Sequence, residues 1–323
     1  MLTRLLLASA LMATPALAQA RNIVIANDDG LTSNVVALYK ALKAEGHDVI
    51  VSVPCSGQSG MGGAVRFMRP IGPLAQDCHN AAAKKGDPGV GPISREGIPA
   101  RDFNYVDGTP VMALLYGLDI AAQKRWGKAP DLVLSGPNEG QNLGQISVSS
   151  GTVNVVQYAS ARGIPAVALS AGADTADDEN LANPKSARVA ALTAQLVDAL
   201  QAGADDKPLL PAHVSLNVNF PDDLSRDAWA PTEVGTYNAY TVRFAEDMSQ
   251  SPLARATGAG NQELPGVVID MNNAEPDSSQ EDDESVVVRN AITISVMQPG
   301  FGTHDGLGGG ILHQLAERLS SGN

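Results

Sequence analysis

Ile23-Val24-Ile25-Ala26-Asn27-Asp28-Asp29-Gly30 is an apolar run that stops on an amide, two carboxylates and a glycine. Four consecutive apolar residues bounded by turn formers read as a buried strand. Asn27 to Gly30 are common turn residues, so a plain polar turn is one reading of this tetrapeptide. The other is a site: in an open α/β sheet, ligands bind beyond the carboxyl ends of the strands. Two adjacent carboxylates there suit a hard divalent cation, Mg²⁺ or Mn²⁺.

Outward from that strand, apolar runs alternate with helical patterns. Val35, Leu38, Tyr39 and Leu42 lie on one helical face, and Gly46 stands just past its end. Residues 48–53 read as a strand ended by Pro54, residues 111–123 as a helix, and residues 132–134 as a strand. A small-residue helix over 152–161 and a strand over 166–169 follow, then a helix over 186–202 and a strand over 213–218. Strands alternating with helices imply βαβ units and a parallel sheet, hence an α/β fold. From 230 to 283 the signals weaken into a loop or flexible extension. The acidic run 281–284 reads as a solvated loop rather than a second metal site. Residues 286–296 alternate like a late strand pair or hairpin, and a Gly-rich tail over 306–310 leads into a short helix over 311–319.

The first twenty residues stand apart. Arg4 precedes a short apolar run over 5–17, and Ala16-Leu17-Ala18 has the small-x-small form of a cleavage site. This is the pattern of a secretory signal peptide cut after Ala18, or alternatively after Ala20, and the run is short for a membrane span. It predicts export to the periplasm or the medium, with no membrane association after cleavage. In such a compartment Cys55 and Cys78 are able to pair as a disulfide, although two free thiols remain an alternative. The net charge of −13 lacks the basic footprint that nucleic acid polymers need, and aromatics at 4% offer no base-stacking platform.

Three further Gly-rich polar segments follow strands or open a helix. They are Ser56-Gly57-Gln58-Ser59-Gly60, then 135–144 with Asn138, Gly140 and Asn142, and Ser149-Ser150-Gly151-Thr152. Each can bring backbone N–H groups to an anion while offering oxygen ligands. Taken singly, Ser150, Thr152 and Ser59 could serve only as caps.

The ordered set Asn27-Asp28-Asp29-Gly30, Ser59-Gly60, Gly108-Thr109-Pro110, Ser135-Gly136-x-Asn138-x-Gly140-x-Asn142-Leu143-Gly144, Ser150-Gly151-Thr152-Val153 and Leu216-Asn217-Val218-Asn219-Phe220-Pro221 resembles the SurE family of survival-protein, metal-dependent 5′/3′-nucleotidases. Ala291-Ile292-Thr293-Ile294 is a weaker echo. The resemblance implies a Rossmann-like catalytic core over 21–225 and a β-rich extension or oligomerisation arm over 226–323. It implies one divalent cation held by Asp28, Asp29, Ser59 and Asn138, with Asp28 and Asp29 catalytic. The expected reaction is hydrolysis of nucleoside monophosphates, in a homo-oligomer, dimer or tetramer. A broad acid phosphatase or exopolyphosphatase is the alternative within enzymes, and a non-catalytic exported binding protein the alternative outside them.

Gly140, Gly151 and Thr152 are read as the phosphate cradle, with Asn27, Gly60, Asn142 and Ser150 on the same substrate surface; Asn27 also orients the loop and Gly30 serves backbone geometry. Attack by a metal-activated water is preferred to attack by Asp28 itself. Pro137 stands where an aliphatic residue is usual, Val111-Met112 replaces a polar pair, and 230–285 does not follow the family arm. His304 is read as a surface histidine before a general acid, and His47, His79, His213 and His313 carry no functional signal.

Overall fold

The computed structural model describes residues 20–300, apart from Asp178, Asp205, Asp206 and Gln262. The signal-peptide expectation therefore lies outside the described residues up to residue 19, as do His304 and the tail over 306–319.

In chain order the elements are β1 (Asn22–Ala26), α1 (Ser33–Ala44), β2 (Asp48–Pro54), β3 (Val90–Pro92), β4 (Phe103–Val106) and α2 (Pro110–Tyr116). A π-helical turn, Gly117–Ala121, joins α2 to α3 (Ala122–Trp126); β5 (Leu132–Glu139), α4 (Gly151–Ala161), β6 (Ala166–Ala171), α5 (Pro184–Ala204) and β7 (Ser215–Asn219) follow. The remainder comprises β8 (Trp229–Thr232), β9 (Tyr240–Ala245), α6 (Pro252–Ala256), β10 (Gly266–Met271), α7 (Glu284–Val287) and β11 (Ile292–Met297).

Nine of these strands form one sheet in the order β3-β4-β2-β1-β5-β6-β7-β11-β8. From β4 to β7 every neighbouring pair is parallel. The chain builds outward from β1 through β2 to β4, returns to the centre, and builds the other way through β5, β6 and β7. That reversal creates a switch point between β1 and β5, the Rossmann-like arrangement. The two-residue period of β1 distributes its side chains to both faces. Ile23 and Ile25 join the apolar cluster with residues of α1 and α5, while Val24 and Ala26 join the one with α2 and α4. Both faces are thus covered by helices, as a parallel sheet requires. Full burial of each of the valine and isoleucine side chains contributes about 1.5–3 kcal/mol.

The helices start where their caps dictate. The Thr32 side chain accepts from Val35 N–H, Thr109 accepts from Met112 N–H with Pro110 at the first position, and Ser150 accepts from Val153 N–H.

Three sequence expectations need correction. Residues 286–296 are not a hairpin: they hold the end of α7 and a single strand, β11, whose hydrogen-bonding edges are taken by β7 and β8. Residues 230–283 are not featureless, since β9 and β10 pair as an antiparallel ribbon with α6 between them. The acidic run is not wholly solvated: Glu284 is fully buried, accepting from Asn217, Ser295 and the N–H of Gly144. The segment after 225 also supplies β8 and β11 to the main sheet.

Candidate metal centre

Asn27, Asp28 and Asp29 leave the end of β1 at the switch point, beside the end of β5, which carries Asn138 and Glu139. The Asn27 side chain spans the turn: its Nδ2 donates to Gly30 O at 2.8 Å and its Oδ1 accepts from Gly30 N–H at 3.1 Å. Gly30 takes φ of +92°, a left-handed conformation that a Cβ disfavours. The turn is locked by its own residues, which presents the two carboxylates in sequence.

Asp28 is 3% exposed. Thr152 Oγ1 donates to its Oδ1 at 2.6 Å and lies 3.1 Å from Asn138 Oδ1. The Asn138 amide is oriented by donation from Nδ2 to Gly140 O at 2.7 Å, which turns its oxygen toward the carboxylates. Backbone N–H groups of Gly151 and Thr152, at the start of α4, also favour the ionised Asp28. A Cβ at Gly151 would stand 2.6 Å from Asp28 Cβ, so only glycine lets the helix come this close. Burial nevertheless dominates and pushes the Asp28 carboxyl above the usual carboxylate range. A divalent cation is the group that would reverse that preference, because its charge favours the ionised acid. Asp29 accepts from Glu139 N–H at 3.3 Å. Among the described residues no three His, Cys, Asp or Glu side chains cluster as a metal site. The fit is instead to two carboxylates completed by neutral oxygens, an oxygen donor set suited to Mg²⁺ or Mn²⁺.

The structure thus brings Asp28, Asp29, Asn138, Gly151 and Thr152 together. Ser59 and Gly60 are exposed on the loop after β2, next to Gln58, whose N–H donates to Asp28 O at 2.7 Å. Several residues expected on the phosphate surface are committed elsewhere. The Ser150 hydroxyl caps α4, and the N–H of Gly140 donates to Ala171 O at 2.8 Å. Asn142 is buried: its Nδ2 donates to Ser170 Oγ, its N–H to Asn219 Oδ1, and its carbonyl accepts from Asn217 and Asn219. The amide of Asn27 is spent on its own turn. The α4 N-terminus faces Asp28 rather than an open anion seat, because a buried carboxylate already needs those donors.

His79 was missed by the sequence reading. Its Nδ1 lies 3.4 Å from Asp29 O, and its N–H donates to Cys55 O at 2.8 Å. Asn80 Nδ2 donates to Leu31 O at 2.6 Å. The Cys55–Cys78 disulfide, with Cα atoms 4.7 Å apart, holds this segment against the carboxylate turn. Its proximity to Cys78 was the one available signal.

The family model for survival protein SurE matches residues 23–241, two thirds of the chain and every residue of this centre. The chain belongs to the SurE family. Among curated SurE relatives and their kin, an acid phosphatase of Yarrowia lipolytica is 36% identical over 207 residues, covering 62% of this chain and 56% of that protein. The chain thus spans little more than half of that relative's length. A 5′-nucleotidase SurE of Deinococcus radiodurans is 32% identical over 215 residues, 67% of this chain and 68% of that protein. The crystal structure of the SurE protein from Aquifex aeolicus shares the fold with a TM-score of 0.62 at 22% identity, covering 93% of this chain and 99% of the other.

Proposed function

We propose that this SurE-family chain is a divalent-metal-dependent phosphomonoesterase that hydrolyses nucleoside 5′- or 3′-monophosphates to nucleoside and phosphate. The observation that carries the reading is the Thr152 hydroxyl set between Asp28 and Asn138 at the switch point, with Asp29 next in sequence. Asp28, Asp29, Asn138 Oδ1 and Ser59 Oγ would hold the cation. When bound, the cation supplies charge to offset that developing on the phosphoryl oxygens. Thr152 keeps Asp28 in one orientation, and the amide of Glu139 does the same for Asp29. With only two carboxylates in the donor set, the loaded site carries no net negative charge to repel a phosphate dianion.

The test is phosphate release from nucleoside monophosphates by purified protein. Activity should vanish in EDTA and return with Mn²⁺ or Mg²⁺; undiminished turnover in excess chelator would overturn the reading. Because the Yarrowia lipolytica relative is an acid phosphatase, a broader phosphatase is the second reading, and simple phosphate esters belong in the same panel.

Two wider proposals accompany this one. The leader over 1–20 and the Cys55–Cys78 disulfide support export to an oxidising compartment. The β9–β10 ribbon supports a homo-oligomer: Val242, Phe244, Val267 and Ile269 form adjacent cross-strand pairs and are exposed.

A further inference from the structure

Beyond the metal centre, the carboxyl edge of the sheet opens into a cavity of about 380 Å³, within the range of small-molecule sites. Its near wall is Gln141, three residues past Asn138. Its far wall comes from the extension: Tyr240 at the start of β9, Met271 at the end of β10, and Arg289 just after α7. Between them lies Asp222, three residues past β7.

The path from metal centre to cavity is short. Gly140 N–H bonds to Ala171 O at the end of β6, and the next residue, Gly172, lies under Asp222, whose Oδ1 is 2.6 Å from where a Cβ would stand. Asp222 is thus within about two strand spacings, roughly 10 Å, of Asn138.

The lining has the chemistry of a sugar and a flat ring. Gln141 Nε2 donates to Asp222 Oδ1 at 2.8 Å, fixing the carboxylate while leaving its second oxygen as an acceptor. Burial, and then the charge of the nearby Asp222 carboxylate, push the Tyr240 phenol up, and both residues line the cavity. Tyr240 and Met271 are directly opposite in the β9–β10 register and present an aromatic and a thioether side by side. A carboxylate at the end of a strand accepts from ribose hydroxyls in the dinucleotide folds, and aromatic rings stack on bases without regard to sequence. Met271 and Arg289 lie beyond the 23–241 span of the family model, so this wall is supplied by the chain's own extension.

We propose that this cavity seats the nucleoside of the substrate, with Asp222 accepting the ribose hydroxyls and Tyr240 with Met271 packing on the base. The inference rests on the phosphomonoesterase reading for the position of the phosphate. It makes Asp222 at the end of the core, together with the extension, the part of the chain that distinguishes a nucleotide from a simple phosphate ester.

The experiment compares wild type, Asp222→Asn and Tyr240→Ala, each checked for folding by circular dichroism. Their kcat/KM values are measured in Mn²⁺ for adenosine 5′-monophosphate and for p-nitrophenyl phosphate, and adenosine binding is measured by calorimetry. The preference for the nucleotide over the aryl ester should fall about tenfold or more in each variant, as expected for losing a charge-assisted hydrogen bond or a stacked ring. Adenosine affinity should fall by a similar factor. An unchanged preference in both variants, or no adenosine binding to wild type, overturns the nucleoside seat. If wild type releases phosphate from neither ester yet binds adenosine in an Asp222-dependent manner, the seat stands and the phosphomonoesterase reading falls.

Discussion

Thr152 has a single hydroxyl proton, and the shorter contact gives it to Asp28, leaving Asn138 Oδ1 alongside as an acceptor with capacity for a cation. Through these two contacts the hydroxyl holds Asp28 and Asn138 in a fixed relation to each other. Thr152→Val keeps the shape and removes the donor, and should weaken Mn²⁺ binding about tenfold or more. Thr152→Ser should restore most of it. Calorimetry decides, and an unchanged dissociation constant in the valine variant would rule the role out. At this scale the sequence was legible where residue type alone carries chemistry. Asp28 and Asp29 stood out as adjacent carboxylates after an apolar strand, with a plain turn as the other reading, and the ordered resemblance to SurE sequences is what singled out Asn138. The direction of the α4 N-terminus was not legible, because whether Gly151 and Thr152 face a phosphate or a carboxylate depends on the packing of β1 against α4. His79 offered only its adjacency to Cys78 as a signal, because its neighbour in space, Asp29, is fifty residues away in the chain.

Among the elements, α7 is the one that a local reading misjudges most. Its first residue, Glu284, sits inside a polar cluster that ties the extension to the loop after β5. Asn217 donates to both carboxylate oxygens, Ser295 donates at 2.8 Å, and Gly144 N–H at 3.1 Å. Burial pushes the Glu284 carboxyl up to about 7, against those hydrogen bonds, with the neighbouring Asp283 adding to the rise. The folded value lies above the unfolded one, so in the native state the group keeps a proton that the unfolded chain has already lost. Its stabilising contribution is therefore complete below about pH 4.5 and is lost as pH rises to about 7, a change of about 3 kcal/mol. Urea midpoints of wild type should fall across that window by more than those of Glu284→Gln, which has no proton to lose. Parallel slopes for the two proteins would refute this. The sequence shows Glu281 to Glu284 as four acids in a row, and only long-range packing separates the buried Asp283 and Glu284 from the other two. The strands β1, β2, β5 and β6 were readable because each is an apolar run closed by Gly, Pro or polar residues. β3 and β4 were not, being three and four residues long inside an irregular insert. The ribbon escaped notice because most of its larger apolar residues face outward, while Ala245 and Val268 pack only on a small cluster with Ala254.

For the molecule as a whole, the exposed ribbon face is the feature most in need of a partner. Phe244 is 71% exposed and Val267, its cross-strand neighbour, 59%. A second copy of the chain is the proposed cover, and Phe244→Asp should shift the mass measured by light scattering toward the monomer. A wild-type protein that is already monomeric would remove the proposal. The fold class followed from the alternation of strands and helices; the joining of β8 and β11 to the same sheet did not, since nothing local fixes which edge a late strand will meet.

The Cys55–Cys78 bridge has a consequence in time as well as in space. The carboxylate turn is braced by a segment that the bridge holds, through His79 beside Asp29 and Asn80 on Leu31. A chain still carrying two thiols lacks that covalent brace, and the expectation is that its carboxylate turn then holds a cation less well. Reduction should lower Tm by about 5 °C and weaken Mn²⁺ binding in the same titration, with both restored on reoxidation. A reduced protein with full metal affinity would show that the brace is dispensable. On the proposed function, the bridge would tie the readiness of the carboxylate turn to the redox state of the compartment the chain occupies.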